Sequence, residues 1–302
     1  MGIYVETLIR APMEALWART QTLDLHTRWD LRFSEIDYLP RADERAPQRF
    51  RYTTRIGLGL AVSGEGETVG ERDLADGGRT SALRFWSTHP LSLIGKGSGY
   101  WKYVPTPDGI RFLTGYDYRT RFGILGRVVD RVAFRPLISW ATAWSFDRLR
   151  LWLEEGIAPG RSMRQALVHG VARVGLALVF AWHGLVPKLL GPNPDEIALL
   201  RDAGLPAGLT GPAVAALGVA ELLLAAALLL TWHRAWLPIA CLALAVVATV
   251  GVALTSPRYL GAAFNPVTLD LAVALLAVID LLTLADLPTA GRCLRRPPRG
   301  AP

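Results

Sequence analysis

Two patterns of apolar and polar positions divide the chain. In the first, Ile3, Val5, Thr7 and Ile9 alternate with Tyr4, Glu6, Leu8 and Arg10, the period of a half-buried strand. Ala11-Pro12 ends it, and Pro12 suits the first position of a helix on which Met13, Leu16 and Trp17 share a side. A second short helix is predicted around 23–29 and a strand at 34–39. Strands follow at 49–56, 62–72, 80–86, 98–104 and 110–120, separated by turn signals such as Asp76-Gly77-Gly78 and Pro107-Asp108-Gly109. Such a run of antiparallel strands needs cover on one face. The segment 125–155 supplies it, with Val128, Val132, Leu137, Ala141 and Trp144 at helical spacing and Pro136 predicting a kink or two abutting helices.

The second pattern is four long apolar runs, at about 167–190, 212–232, 235–255 and 267–285. A helix needs about 20 apolar residues to cross a bilayer core. Four consecutive helices that are apolar on every face have no side to offer water, so these are predicted spans. Gly, Pro and Arg at 156–161 interrupt both patterns. The expected organisation is a domain at 1–158, a membrane domain at 163–288 and a basic tail at 289–302. The fold class is α+β for the first part, a seven-stranded antiparallel sheet around a long C-terminal helix, and an all-α four-helix bundle for the second.

Composition agrees with two parts. The 302 residues have room for both, and the apolar fraction of 51% is concentrated after residue 165. The net charge of +7 does not point to nucleic acid, because basic residues in the first half are scattered among acids rather than clustered. The excess flanks the spans instead. Arg161, Arg164, Arg234, Arg292, Arg295, Arg296 and Arg299 would face one side, against Lys188, Arg201 and Arg258 on the other. By the positive-inside rule both termini are expected in the cytoplasm, with the protein multi-pass in the inner membrane. No charged n-region with an apolar h-region opens the sequence. Cys241 and Cys293 have no metal-ligand or redox spacing, so neither a metal nor a thiol centre is expected.

The segment from Ile9 through Arg10-Ala11-Pro12-Met13-Glu14-Ala15-Leu16 to Trp17, with Trp29 and the element order, resembles the SRPBCC superfamily of START-like or polyketide-cyclase-like domains. The resemblance covers about the first half of the chain. It implies a helix-grip fold enclosing a cavity for a hydrophobic ligand between the sheet and the long helix. Trp86, Trp101, Phe112, Tyr116, Trp140 and Trp144, with Tyr100, are then the candidate lining; each of these aromatics is otherwise simply core. No catalytic residue transfers from the family. His89 and Asp117 are polar candidates near the strands, His89 beside Pro90 reading as a turn residue.

The run Trp182-His183-Gly184-Leu185-Val186-Pro187-Lys188, followed by Pro192-Asn193-Pro194-Asp195-Glu196, resembles the DoxX-like family of four-helix membrane proteins over about 163–287. Relatives in that wider group include a subunit of a thiosulfate:quinone oxidoreductase. No cysteine or cofactor motif in this chain supports that chemistry. The motif also reads physically: Gly184 permits close helix approach, Pro187 loosens the last turn and Lys188 reaches the surface. Asn193 caps a short helix that opens with Pro194, has Asp195 and Glu196 in its first turn and ends near 203–204.

Arg173, His183, Glu221, Asp270 and Asp280 lie within the runs and Lys188 at the end of one. A charge at the centre of hydrocarbon costs about 3 kcal/mol on the insertion scale, so partners or a wet cavity are required. They are either packing glue or a polar site. Antiparallel first and fourth spans would put Arg173 level with Asp280 and His183 level with Asp270, with Glu221 between.

Three functional readings stay open. One is a membrane-tethered domain binding a lipid or lipid-soluble small molecule, with no cofactor. Another is a membrane oxidoreductase subunit with a bound quinone. The third is an assembly or scaffolding protein held by a membrane-protein partner or a second copy, for which the small residues at 213–227 and 240–253 permit close packing.

Overall fold

The computed structural model describes residues 2–41, 43, 46–57, 59–263 and 265–298. Arg299, counted in the charge asymmetry, lies outside them. The chain forms two compact units, one of residues 1–162 with 288–302 and one of 163–287.

The first unit runs β1 (Ile3–Ile9), α1 (Met13–Gln21), α2 (Leu23–Trp29), β2 (Glu35–Tyr38), β3 (Arg49–Gly57), β4 (Leu60–Asp73), β5 (Arg79–Trp86), β6 (Ile94–Thr106), β7 (Gly109–Thr120), α3 (Gly123–Val129) and α4 (Arg135–Glu154). Its seven strands form one antiparallel sheet in the order β1-β7-β6-β5-β4-β3-β2, closed around α4 as a helix-grip fold. Turn chemistry places the hairpins. Gly77 takes φ 76°, and Asp76 Oδ1 accepts from the Gly78 amide at 3.0 Å.

Strand β6 starts four residues before its apolar alternation does. Gly95, Gly97 and Gly99 hide the pattern there, yet the strand pairs on both sides, with the Phe85 ring of β5 lying over Gly97 and the Tyr116 Cβ of β7 close against Gly99. The long helix breaks at a π-turn, Asp130–Phe134, and not at Pro136. Pro136 follows directly on the π-turn in a helix that continues through it, with Phe134 and Arg135 both helical, so its missing N–H takes one bond out of the helix beside the break.

The segment after the last apolar run is no free tail. Leu294 pairs with Glu6 through two backbone hydrogen bonds of 2.9 Å, covering the outer edge of β1. The Thr289 amide donates to Asp147 Oδ2 at 2.8 Å, and the buried Cys293 thiol donates to the Ala143 carbonyl at 3.3 Å.

The second unit contains α5 (Pro159–Gly184, whose first residues belong to the first unit) running through a π-turn to Leu190, α6 (Pro194–Asp202), α7 (Ala207–Leu230), α8 (Trp236–Thr255) and α9 (Pro266–Thr283). Four of these helices are long and apolar enough to cross a membrane. The first begins eight residues before its apolar run, in a polar turn containing Arg161, Ser162 and Arg164. Leu176, Leu228, Leu237, Cys241 and Ala277 form the buried centre of the bundle.

Candidate functional site

In the first unit, alternation along each strand decides which aromatics share the helix-facing side. Pairing of Tyr116 with Gly99, Thr114 with Trp101 and Phe112 with Tyr103 places Trp101, Tyr103, Phe112 and Tyr116 there, all buried. Trp101, Tyr103 and Phe112 are core. Phe112 stacks on Phe146 of α4 at 4.5 Å, and Trp29 reaches both Phe146 and Trp101.

Four of the sequence-predicted lining residues are elsewhere. Trp86 is offset by an odd number of positions from Ser81, the partner of Trp101, so it points to the outer face, where Arg49 covers its ring; Tyr100 is on that face too. Trp140 and Trp144 stack on each other at 6.1 Å. Each lies two residues from Thr142 or Phe146, or about 200° around the helix. Since Thr142 bonds Tyr116 at 2.9 Å and Phe146 packs on Phe112, the two tryptophans face away from the sheet. His89 is a turn residue whose Nδ1 accepts from the Leu91 amide at 3.3 Å. Asp117 pairs with Arg135 at 3.1 Å.

Beyond the packed core, Leu83 and Phe85, an even number of positions from Ser81, and Phe50, whose ring covers Gly66 opposite Phe85, form a half-buried apolar floor on the same face, with Phe33 packed on Tyr52 beside it. A polar cluster stands where floor meets core. Asp30, directly after α2, accepts from Arg32 Nε at 2.9 Å and Nη2 at 2.6 Å, and lies 3.0 Å from His26 Nε2. The Arg32 guanidinium lies 5.5 Å from the centres of both the Phe33 and Tyr116 rings. Burial alone would raise the Asp30 carboxyl, but Arg32 and His26 override it and hold the group well below the usual carboxylate range. Burial likewise opposes the Arg32 charge, and Asp30 reverses that, pushing the guanidinium up. Burial raises the Tyr116 phenol. The loop is fixed from α4: Ser145 Oγ accepts from the Leu31 amide at 2.9 Å and Arg148 donates to the Trp29 carbonyl at 2.9 Å.

In the second unit, Gly184 and Gly218 let the first two apolar helices touch backbone to backbone. A Cβ at Gly184 would sit 2.5 Å from the Gly218 carbonyl oxygen. Lys188 then packs over Gly218 and Glu221 over Gly184, and Lys188 Nζ bonds Glu221 at 3.1 Å and Glu196 of α6 at 3.3 Å. The Asn193 cap of α6 accepts from the Asp195 amide at 2.8 Å. His183 is half-buried and near enough to Lys188 and Glu196 to feel their charges.

Arg173 and Asp280 pair at 2.8 Å, as their depths predict. His183 and Asp270 do not pair; Asp270 accepts from Thr249 at 3.1 Å. Depth fixes height and not direction. Ten residues turn a helix about 1000°, some 80° short of three full turns, so where Arg173 faces Asp280 the other two are each rotated aside.

The DoxX-like family model matches residues 177–278. The uncharacterized membrane protein YndG of Bacillus subtilis (strain 168) is 49% identical over 183 residues, which covers 60% of this chain and 68% of that protein. The chain belongs to the family of that membrane protein. Solved structures resembling the helix-grip half include the Zhui aromatase/cyclase of Streptomyces sp. R1128, at 16% identity over 50% of this chain and 96% of that one with TM-score 0.35. A STAR-related lipid transfer protein of Xanthomonas axonopodis is similar at 15% identity over 49% and 82%, with TM-score 0.37.

Several residues of these networks carry little signal in the sequence. His169 lies 2.7 Å from Asp280 by Nδ1 and 3.1 Å from the Trp232 carbonyl by Nε2, joining the Arg173 network. Its signal was its place one turn before Arg173, on the same helix face. His26, Asp30 and Arg32 sit around the end of a short helix, where polar residues are ordinary and give no such signal.

Proposed function

We propose that the first unit holds an apolar small molecule or lipid with a neutral polar end, and that the membrane bundle gives that molecule a route to or from the bilayer. The observation carrying this reading is Arg32. Its charge is matched by Asp30, and its guanidinium lies 5.5 Å from the centres of the Phe33 and Tyr116 rings, Tyr116 sharing the sheet face that carries the half-buried Phe50, Leu83 and Phe85. A matched guanidinium still donates hydrogen bonds, but it offers a ligand no net charge, which favours a carbonyl or hydroxyl over a carboxylate. The ring floor supplies the apolar contact such a site needs.

Docking of residues 288–294 on the first unit supports an even number of membrane crossings between the two parts of that unit. Together with the arginine asymmetry, this favours both termini in the cytoplasm.

The test is extraction and mass spectrometry of the full-length protein, followed by titration with the neutral fluorophore Nile red. Saturable binding lost in Leu83→Trp, which fills the floor, is expected. No co-purifying apolar molecule together with unsaturable Nile red uptake, unchanged by Leu83→Trp, would overturn the reading.

A further inference from the structure

The most exposed apolar surface of the first unit is a stripe along α3 and the start of α4. Ile124 and Leu125 are both 72% exposed, Val132 74% and Leu137 61%, with Val128, Val129 and Trp140 exposed beside them. At about 100° per residue, Ile124, Leu125, Val128, Val129 and Val132 fall within an arc of about 140°, the width of a face that normally packs on a core. The opposite side of the same helix is the one that packs. Gly126 is buried against the Arg121 carbonyl, and Asp130 accepts from Tyr118 Oη at 2.6 Å and Arg135 Nε at 2.9 Å. The extra residue of the π-turn brings Leu137 and Trp140 back into line with the stripe.

We propose that this stripe is a membrane-docking face, lying in the headgroup layer of an anionic bilayer with its aliphatic side chains inserted. Charge complementarity selects the occupant. Arg127 and Arg131, on the same helix, are exposed beside the stripe, and Asp130, the sole acid between residues 118 and 135, is turned inward and paired. An apolar face with an arginine margin is the pattern of an interfacial helix, and arginines near an anionic surface add electrostatic attraction to the apolar insertion. Trp140 suits the boundary between headgroups and water. The covalent chain keeps the bilayer in reach: four residues, 155–158, separate α4 from the first membrane-capable helix, a span of at most about 14 Å. The proposal does not depend on what the concave face holds.

Nitroxide labels test it on the full chain in vesicles of phosphatidylethanolamine and phosphatidylglycerol. One label goes on Val132→Cys and one on Arg84→Cys of the outer sheet face, in a Cys241→Ala, Cys293→Ala background. The ratio of oxygen to nickel-chelate collisions should be several-fold higher at 132 than at 84, and should fall toward the value at 84 in pure phosphatidylcholine. Equal ratios at the two sites would overturn the proposal. So would exclusion of both reagents from 132, which would mean that a protein or second copy covers the stripe, and so would indifference to lipid charge. Unaltered protein in vesicles with photoactivatable phosphatidylglycerol gives a second readout. Crosslinks are expected within 124–140, and their absence while the spans are labelled would count equally against docking.

Discussion

Arg173 Nη1 meets Asp280 Oδ2 at 2.8 Å, both side chains fully buried, and the same guanidinium donates to the carbonyls of Leu228, Thr231 and Arg234. One arginine thus joins the first and fourth apolar helices to the end of the second and the loop after it. Asp280 is the single carboxylate in that network and also faces His169. Asp280→Ala should therefore leave a buried guanidinium unmatched and destabilise the bundle by about 3–5 kcal/mol. Unfolding of the full chain in detergent, followed by loss of helical circular dichroism, measures it; a change under 1 kcal/mol would mean the network is dispensable.

That pair was legible because helix rise converts residue spacing into depth, and Arg173 and Asp280 share a depth. Strand limits were legible as well, wherever alternation and turn residues are local, as at Ile3–Ile9 and Asp76-Gly77-Gly78. Direction was not legible in the spacing. Spacing grouped Trp140 with Trp144 without saying which way the pair points. Trp86 and Trp101 look alike in sequence and differ in which side of the pleat they occupy. Docking of Leu294 on β1 has no periodic signal at all, being one bridge between distant segments.

At the Gly184 and Gly218 crossing, backbones are in contact and no side chain can yield. Gly184→Ala must push the two helices apart, stretching the bonds from Lys188 to Glu221 and Glu196. A loss of about 1–3 kcal/mol is expected, as for other overpacking changes. The control is Gly208→Ala, since a Cβ there meets nothing within 4 Å. Equal melting temperatures for the two variants would refute the close crossing.

Acid should weaken the first unit through Asp30. Its pKa is depressed in the fold, so its stabilising contribution is complete above the unfolded carboxylate value of about 4 and is lost as pH falls from there through the folded value. Asp30→Asn removes that dependence. The stability gap between native and Asp30→Asn protein, read by tryptophan fluorescence in denaturant, should be largest near neutral pH and should shrink below about pH 4. A gap that stays constant from pH 7 to pH 3 would argue that the Arg32 and His26 contacts do not persist in solution.

The returning segment should act as a clasp that can be opened by one residue. Leu294 both donates to and accepts from Glu6, so Leu294→Pro removes a donor and crowds the edge of β1. Losing these bonds and exposing the strand edge should cost the first unit about 1–3 kcal/mol. Cys293 reports the opening directly. Burial pushes its thiol up to about 12, so little thiolate exists at pH 8 and alkylation of the docked segment should be slow. In Leu294→Pro the thiol regains water and an ordinary pKa near 8.5, and iodoacetamide should modify it many-fold faster. Cys241 is buried in the bundle core and provides the internal standard, since its rate should not change. Identical Cys293 rates in native and variant protein would show that the segment stays docked without the Leu294 bridge, leaving Thr289 and Asp147 as the contact that holds it.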